Sequence, residues 1–278
     1  MQDIRTSSLF HYTSLACLKQ ILENGFYPNY CQETISSDRS LFCIGIPMVS
    51  FCDIPLTRVS NFTDHYGQYA IGLDKEYALS QGINPILYVV NADIISSLSI
   101  FKSAEMMTLK KLQECGGKKD SVQVDLTHQD SLNAIKYLVN YNNAHIANTT
   151  FFGYIKGYQG NPKHNDHCNY DENEWRYLVK ENEQAGIPWF WDEESYNAWR
   201  GNGVKPKPTG ALLKQKLTFD TQSISHIIVK EESEIKDMVS FIRNLNHIGG
   251  RYDKGISDNE KDLLYTKVIS LERINKDF

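Results

Sequence analysis

The chain has no apolar run near the ~18 residues that a membrane-spanning helix needs. It does not open on a basic stretch followed by an apolar one, as a secretory leader would. A cytoplasmic protein with no membrane partner is therefore expected. Positive charge is not in excess either: 29 Lys and Arg stand against 34 Asp and Glu, a net charge of −5. That balance argues against a constitutive, high-affinity nucleic-acid binder, whose affinity comes largely from neutralising phosphates, but not against an enzyme that visits nucleic acid through a local basic patch. No Gly-x-Gly-x-x-Gly opens a strand–helix unit, so a Rossmann dehydrogenase is not expected. A Walker-type phosphate loop and a Gly-x-Ser-x-Gly nucleophile turn are missing as well. The six cysteines form no Cys-x-x-Cys pair and read as reduced, mostly buried small apolar residues. His164-Asn165-Asp166-His167-Cys168 offers several metal-ligand types. No second ligand cluster lies at zinc-site spacing, so this is read as a polar loop and no metal is expected.

What is there supports a packed core. The 278 residues are 41% apolar and 12% aromatic, with 16 tyrosines and 23% charged residues. This composition suits one folded α+β domain spanning residues 1–278. Leu9 to Thr13 reads as a strand. Ser14 is a plausible N-cap, Leu15, Leu18, Ile21 and Leu22 recur at helical spacing, and Asn24-Gly25 closes the helix. Phe26 to Gly45 is Ser-rich and polar and reads as an irregular loop. Val49 to Cys52 and Tyr69 to Leu73 read as strands, Lys75 to Ser80 as a helix capped by Asp74, and Pro85 to Val90 as an apolar strand. Residues 93–148 read as a helical insertion. Phe151 to Lys156 and Ile224 to Val229 resume as strands, Ser233 to Leu245 is an amphipathic helix, and a further helix follows within a C-terminal helical segment at about 231–278.

The most informative segment is Tyr170-Asp171-Glu172-Asn173-Glu174-Trp175-Arg176-Tyr177-Leu178-Val179. Read as a strand entry, alternation places Glu172, Glu174 and Arg176 on one face and Trp175, Tyr177 and Val179 on the other. Two like charges on one face repel unless a cation, a ligand or a shared proton intervenes. A solvated edge strand with a Glu/Arg ladder is the alternative reading. Lysines at 110, 111, 118 and 119, and again from 205 to 216, read either as solvated ends or as a basic lip for an anionic substrate.

The stretch from His11-Tyr12-Thr13 through Leu18, Ile21-Leu22 and Gly25-Phe26 resembles the opening strand and helix of ADP-ribosyltransferase-like folds, including DarT-type DNA-modifying toxins. Met48 to Leu56, His65 to Leu73, Asn84 to Val89 and the Glu172–Arg176 segment together resemble the AbiGi family of phage-abortive-infection proteins, over about residues 8 to 180. A subgroup that the chain resembles is the CmdT-like toxin of toxin–antitoxin–chaperone defence systems. The resemblance implies an ADP-ribosyltransferase-like split mixed sheet and an NAD-dependent toxin that modifies nucleic acid, notably mRNA. A cognate antitoxin and a chaperone would be its partners.

In that chemistry, positive charge develops on the sugar as nicotinamide leaves, and a carboxylate beside it lowers the barrier. Glu174 takes this role and Glu172 that of general base. His11 and Thr13 would hold the ribose or adenosine side, Tyr66 or Tyr69 would stack on nicotinamide, and Arg176 would fix a carboxylate or contact pyrophosphate. The family name has also been attached to antitoxin function, which leaves a non-enzymatic binding module as an alternative. A metal-dependent nuclease or phosphotransferase using His11 and the acid pair is a third reading.

Overall fold

A computed structural model describes residues 6–37, 40–59, 63, 66–90, 94, 97, 150–158, 168–180, 186–190, 193–201 and 210–277. The expected insertion at 93–148 lies almost wholly outside them. So do Lys110, Lys111, Lys118, Lys119, Lys205, Lys207, His65 and His164 to His167.

An eight-stranded mixed sheet organises the chain. Strand β1 (Ser8–Thr13) lies between β3 (Ser40–Cys52) and β4 (Tyr69–Asp74), antiparallel to both. Beyond β4 come β9 (Ile224–Val229), antiparallel, and β10 (Val268–Ser270), parallel to β9. Beyond β3 lie β8 (Glu174–Leu178) and β5 (Asn84–Pro85), each antiparallel to its neighbour. Strand β2 (Asn29–Ser37) forms a hairpin with β3. Met48 pairs with both Asn29 of β2 and Leu178 of β8, and Cys52 pairs with both Phe10 of β1 and Glu174 of β8. Because β8 takes one edge of β3, β1 and β2 must share the other. The sheet therefore forks between them. A separate parallel ribbon joins β6 (Leu87–Val89) to β7 (Ile155–Gly157).

One face of the sheet is covered by helices. Helix α1 (Leu15–Asn24) begins at Ser14, whose hydroxyl accepts from the Cys17 amide, and ends at Gly25 with φ 79°. It buries Leu18 and Leu22 against Leu9, Ile71 and Leu73. Helices α2 (Lys75–Ser80), α4 (Ile235–Arg243) and α5 (Asp258–Tyr265) add Ala78, Met238, Ile242 and Leu264 to the same core. Between α2 and α4 in the chain, α3 (Glu193–Arg200) sets Tyr196 against Gly45, where a side chain would collide with its ring. The opposite face carries two smaller cores. One joins Ile44, Ile46 and Met48 to Val89, Phe152 and Ile155 of the ribbon region. The other joins Phe10, Tyr12 and Cys52 to Leu271 and Ile274 of helix α6 (Leu271–Asp277).

The α+β class and the mixed sheet agree with expectation. The span from Phe26 to Gly45 is corrected: it is most of a long hairpin, not a loop. Its serines obscured an alternation that buries Tyr30 and turns Cys31 and Glu33 towards the ribbon face. Pro85 to Val90 divides into two strands in different sheets, β5 pairing β8 and β6 pairing β7. Phe151 to Gly153 is helical before β7 begins at Ile155.

The burial pattern sets a stability contrast. Leu22→Ala, at 0% exposure, is expected to cost about 2–5 kcal/mol in urea unfolding. Leu263→Ala, at 42% exposure, should cost under about 0.5 kcal/mol.

Candidate functional site

Strand β8 delivers two charged side chains to the ribbon face. Its register sets Arg176 against Ser50 and Glu174 against Cys52, while Trp175 and Tyr177 pack into the helix-side core. Glu172 arrives by a different route from the one expected. It ends a 3-10 turn (Asn169–Glu172) and is separated from the strand by Asn173, whose φ of 41° is left-handed. Asn is one of the few residues that tolerates this conformation. The turn, rather than strand alternation, brings Glu172 beside Glu174.

A closed ion network results. Lys156, from β7, donates to Glu172 Oε2 at 2.6 Å and to Glu174 Oε2 at 3.0 Å. Arg176 is fully buried. Its Nε donates to Glu174 Oε1 at 2.7 Å, one Nη to Glu33 Oε1 at 2.7 Å, and the other to the Gly153 carbonyl at 2.9 Å. The Ser50 hydroxyl donates to Glu174 Oε1 at 2.8 Å, and the Tyr66 hydroxyl to Glu172 Oε1 at 2.6 Å. The Glu174 amide donates to the Tyr88 hydroxyl at 2.7 Å.

These contacts set the protonation states. Burial opposes ionisation of Glu174, but Arg176 and Lys156 outweigh it and hold the carboxyl down at about 2. For Glu33 burial dominates over the attraction of Arg176 and raises the carboxyl above its ordinary value. Burial disfavours the Lys156 ammonium, yet Glu174, Glu33 and Glu172 together keep it charged well above the usual range. Burial and the adjacent Glu172 push the Tyr66 phenol up.

A cavity of about 230 Å³ opens at the fork, and His11, Tyr66, Glu172 and Glu174 all line it. His11 reaches it from the helix side. Its ring packs edge-on against Phe26 and Phe51 at 5.3 and 5.8 Å. Its Nδ1 lies 2.8 Å from the Ser50 carbonyl, and because a carbonyl only accepts, Nδ1 carries the proton. Ser50 thus links His11 to Glu174, through its carbonyl on one side and its hydroxyl on the other.

Three expected positions fall elsewhere. Arg176 lies behind the cavity wall, committed to Glu174, Glu33 and Gly153, and is not placed to meet pyrophosphate. Thr13 pairs with Tyr69 across β1 and β4, and neither lines the cavity. The Tyr69 hydroxyl donates to Glu234 Oε1 at 2.8 Å, and burial with that carboxylate takes its phenol up to about 12. The backbone of Gly67, at φ 110°, passes so close to the Thr13 carbonyl that a side chain would collide with it. That close approach explains the glycine without a ligand. Of the cations read as a basic lip, Lys216 donates to the Gly250 carbonyl at 3.0 Å and lies 4.1 Å from the Tyr252 ring centroid.

Sequence reading missed Glu33, Ser50, Tyr88 and Lys156. Glu33 stood in the span taken as a loop, and its alternation with Cys31 was the available signal. Lys156 had none beyond its position at a strand. Chemically, both oxygens of Glu174 accept from cations, Oε1 from Arg176 and Oε2 from Arg176 and Lys156, which keeps the carboxyl ionised at the cavity wall. Among the described residues no group of three His, Cys, Asp or Glu side chains is arranged to hold a metal.

Substitutions should separate the two kinds of carboxylate. Glu174→Gln is expected to cost about 3–5 kcal/mol, because it strands buried cations. Glu33→Gln, which brings three carboxylates and two cations to balance, should stay within about 1 kcal/mol of the unmodified chain. Both are read from urea unfolding. Because the Glu174 carboxyl titrates lower in the folded chain than in the unfolded one, its stabilisation is present above the ordinary value of about 4.3. It is lost as pH falls towards about 2. The Glu174→Gln variant should show a smaller loss of stability across that window.

The family model described as "Putative abortive phage resistance protein AbiGi, antitoxin" matches residues 24–230, well over half of the chain. A protein of Lactococcus lactis subsp. cremoris named "Abortive phage resistance protein AbiGi" is 24% identical over 251 residues, which covers 84% of this chain and 89% of that protein. No solved structure matches, and the expected likeness to ADP-ribosyltransferase-like folds and to CmdT-like toxins finds no support in these comparisons. The description of the family as an antitoxin overturns the expectation of an NAD-dependent toxin that modifies RNA, and it fits the non-enzymatic alternative. The chain belongs to the AbiGi family of abortive phage resistance proteins.

Proposed function

We propose that this chain is a non-enzymatic antitoxin of an abortive phage resistance system, restraining a cognate toxin by direct association. The observation that carries this reading is the antitoxin description of the family whose model spans residues 24–230. The site's geometry supports it from the side of chemistry. Glu174, which an enzyme of the expected kind would need as a charge stabiliser, is held on both oxygens by Arg176, Lys156 and Ser50. The cavity beside it, at about 230 Å³, lies below the ~300–1,000 Å³ that sites for drug-sized ligands occupy. A whole dinucleotide is larger still. In this reading the polar network holds a binding surface in shape and transfers nothing.

Induced expression of the chain alone in a bacterial host tests it. Growth is expected to match that of an empty-vector control, with or without Glu174→Gln. Growth arrest by the unmodified chain, relieved by Glu174→Gln in protein that remains folded, would contradict an antitoxin role.

A further inference from the structure

We propose that the edge of β8, where β5 stops short of it, takes up an extended acidic segment of another protein as an added strand. This surface goes beyond the antitoxin reading and does not depend on it.

The strand registers leave a gap there. The Val179 amide donates to the Pro47 carbonyl at 3.0 Å, so the odd-numbered residues of β8 turn their backbone groups towards β3. The even-numbered ones turn theirs to the other edge. There β5 answers two of them: Asn84 pairs with Arg176, and the Ile86 amide donates to the Glu174 carbonyl at 3.2 Å. The same register sets Gly82 opposite Leu178, but Gly82 does not pair. Its φ of 74° turns the chain away. Its amide donates to the Leu79 carbonyl at 3.0 Å, and its carbonyl accepts from the Asn84 side-chain amide at 2.8 Å. The Leu178 N–H and C=O therefore face outwards with no ladder partner in β5. Such groups on a sheet edge are what an incoming strand pairs with.

The space beside them is open. A cavity of about 310 Å³ is lined by Gly82 and Asn84 at the end of β5, by Tyr177 and Leu178 of β8, and by Lys180 just beyond it. Tyr177 packs towards the helix-side core and Leu178 towards the ribbon-side one. The cavity thus straddles the edge of the sheet rather than lying on one face, which is the place of a strand whose side chains alternate between faces. Trp189, part of the ribbon-side core, also lines it and offers an apolar wall to one of those side chains.

Charge names the occupant. Lys180 is exposed, and among the described residues no Asp or Glu lines the cavity with it. A segment with an acidic residue beside Lys180 gains a pair, and one with a basic residue there meets repulsion. A second copy of this chain, pairing through the same edge, would bring another Lys180 beside the first with no carboxylate in the lining to offset it.

The test pans a displayed library of randomised eight-residue peptides against the purified full-length chain. Enriched peptides are expected to carry Asp or Glu. On binding of a synthetic copy, hydrogen exchange should slow at residues 177–180. Methylating that peptide's backbone amides one at a time should weaken binding at least about tenfold at the amide that meets the Leu178 carbonyl, and change it less than about twofold at the amides flanking it. Lys180→Glu, at an exposed position, leaves the fold intact and should weaken the acidic peptide about threefold while favouring a copy with Lys in place of its acid. The proposal is overturned if no peptide is enriched, if exchange at 177–180 does not change, if every amide tolerates methylation, or if Lys180→Glu leaves the preference for acidic peptides as it was. A dimer of the chain that protects 177–180 without peptide would overturn it as well.

Discussion

A guanidinium with no solvent exposure must find its partners inside the protein, and Arg176 is such a group. Removing a charge from water costs several kcal/mol, which only well-placed opposite charges and acceptors offset. The fold supplies them from three directions: Glu174 on the same strand, Glu33 on the β2 hairpin and the Gly153 carbonyl ahead of β7. Satisfying one arginine therefore fixes where the hairpin, the ribbon and β8 sit relative to one another. Lys156 completes the arrangement by tying the ribbon to Glu172 and Glu174. The apolar core on the helix face needs no such device, because packing alone orients it.

This constraint also governs the acidic pair. An acidic pair beside a histidine strand, with an arginine two residues on, resembles catalytic machinery. In the folded chain the same residues neutralise one another. Glu174 stays ionised because Arg176 and Lys156 contact both of its oxygens. A motif names the residue types that chemistry requires but not what else binds their atoms, and here the competing partners, Glu33 and Lys156, lie outside the motif. The antitoxin description of the family is in keeping with a carboxylate cluster that holds shape.

Local signals were legible wherever a short run settled its own structure. The Ser14 cap and Gly25 stop bounded α1 correctly, Asp74 capped α2, and the β-branched run of β9 declared itself. Alternation along β8 correctly placed Glu174 and Arg176 on one face and Trp175 and Tyr177 in the core. It failed at Glu172, which reaches Lys156 only because Asn173 turns left-handed. The β2–β3 hairpin was hidden by serine content. The Arg176–Glu33 pair, 143 positions apart, leaves no periodic trace in the sequence. His11 and the acidic pair do meet at one cavity, as the sequence suggested, but from opposite faces of the sheet and with Ser50 between them.

The carboxylates at the fork are tied to internal cations, Glu172 and Glu174 to Lys156 and Glu33 and Glu174 to Arg176. A double-mutant cycle between Lys156→Met and Glu174→Gln, measured by chemical unfolding, addresses this most directly. Groups in one buried network are expected to couple by about 1–3 kcal/mol. Additivity within about 0.5 kcal/mol would mean that the two side chains act independently, and would contradict a closed network at the fork.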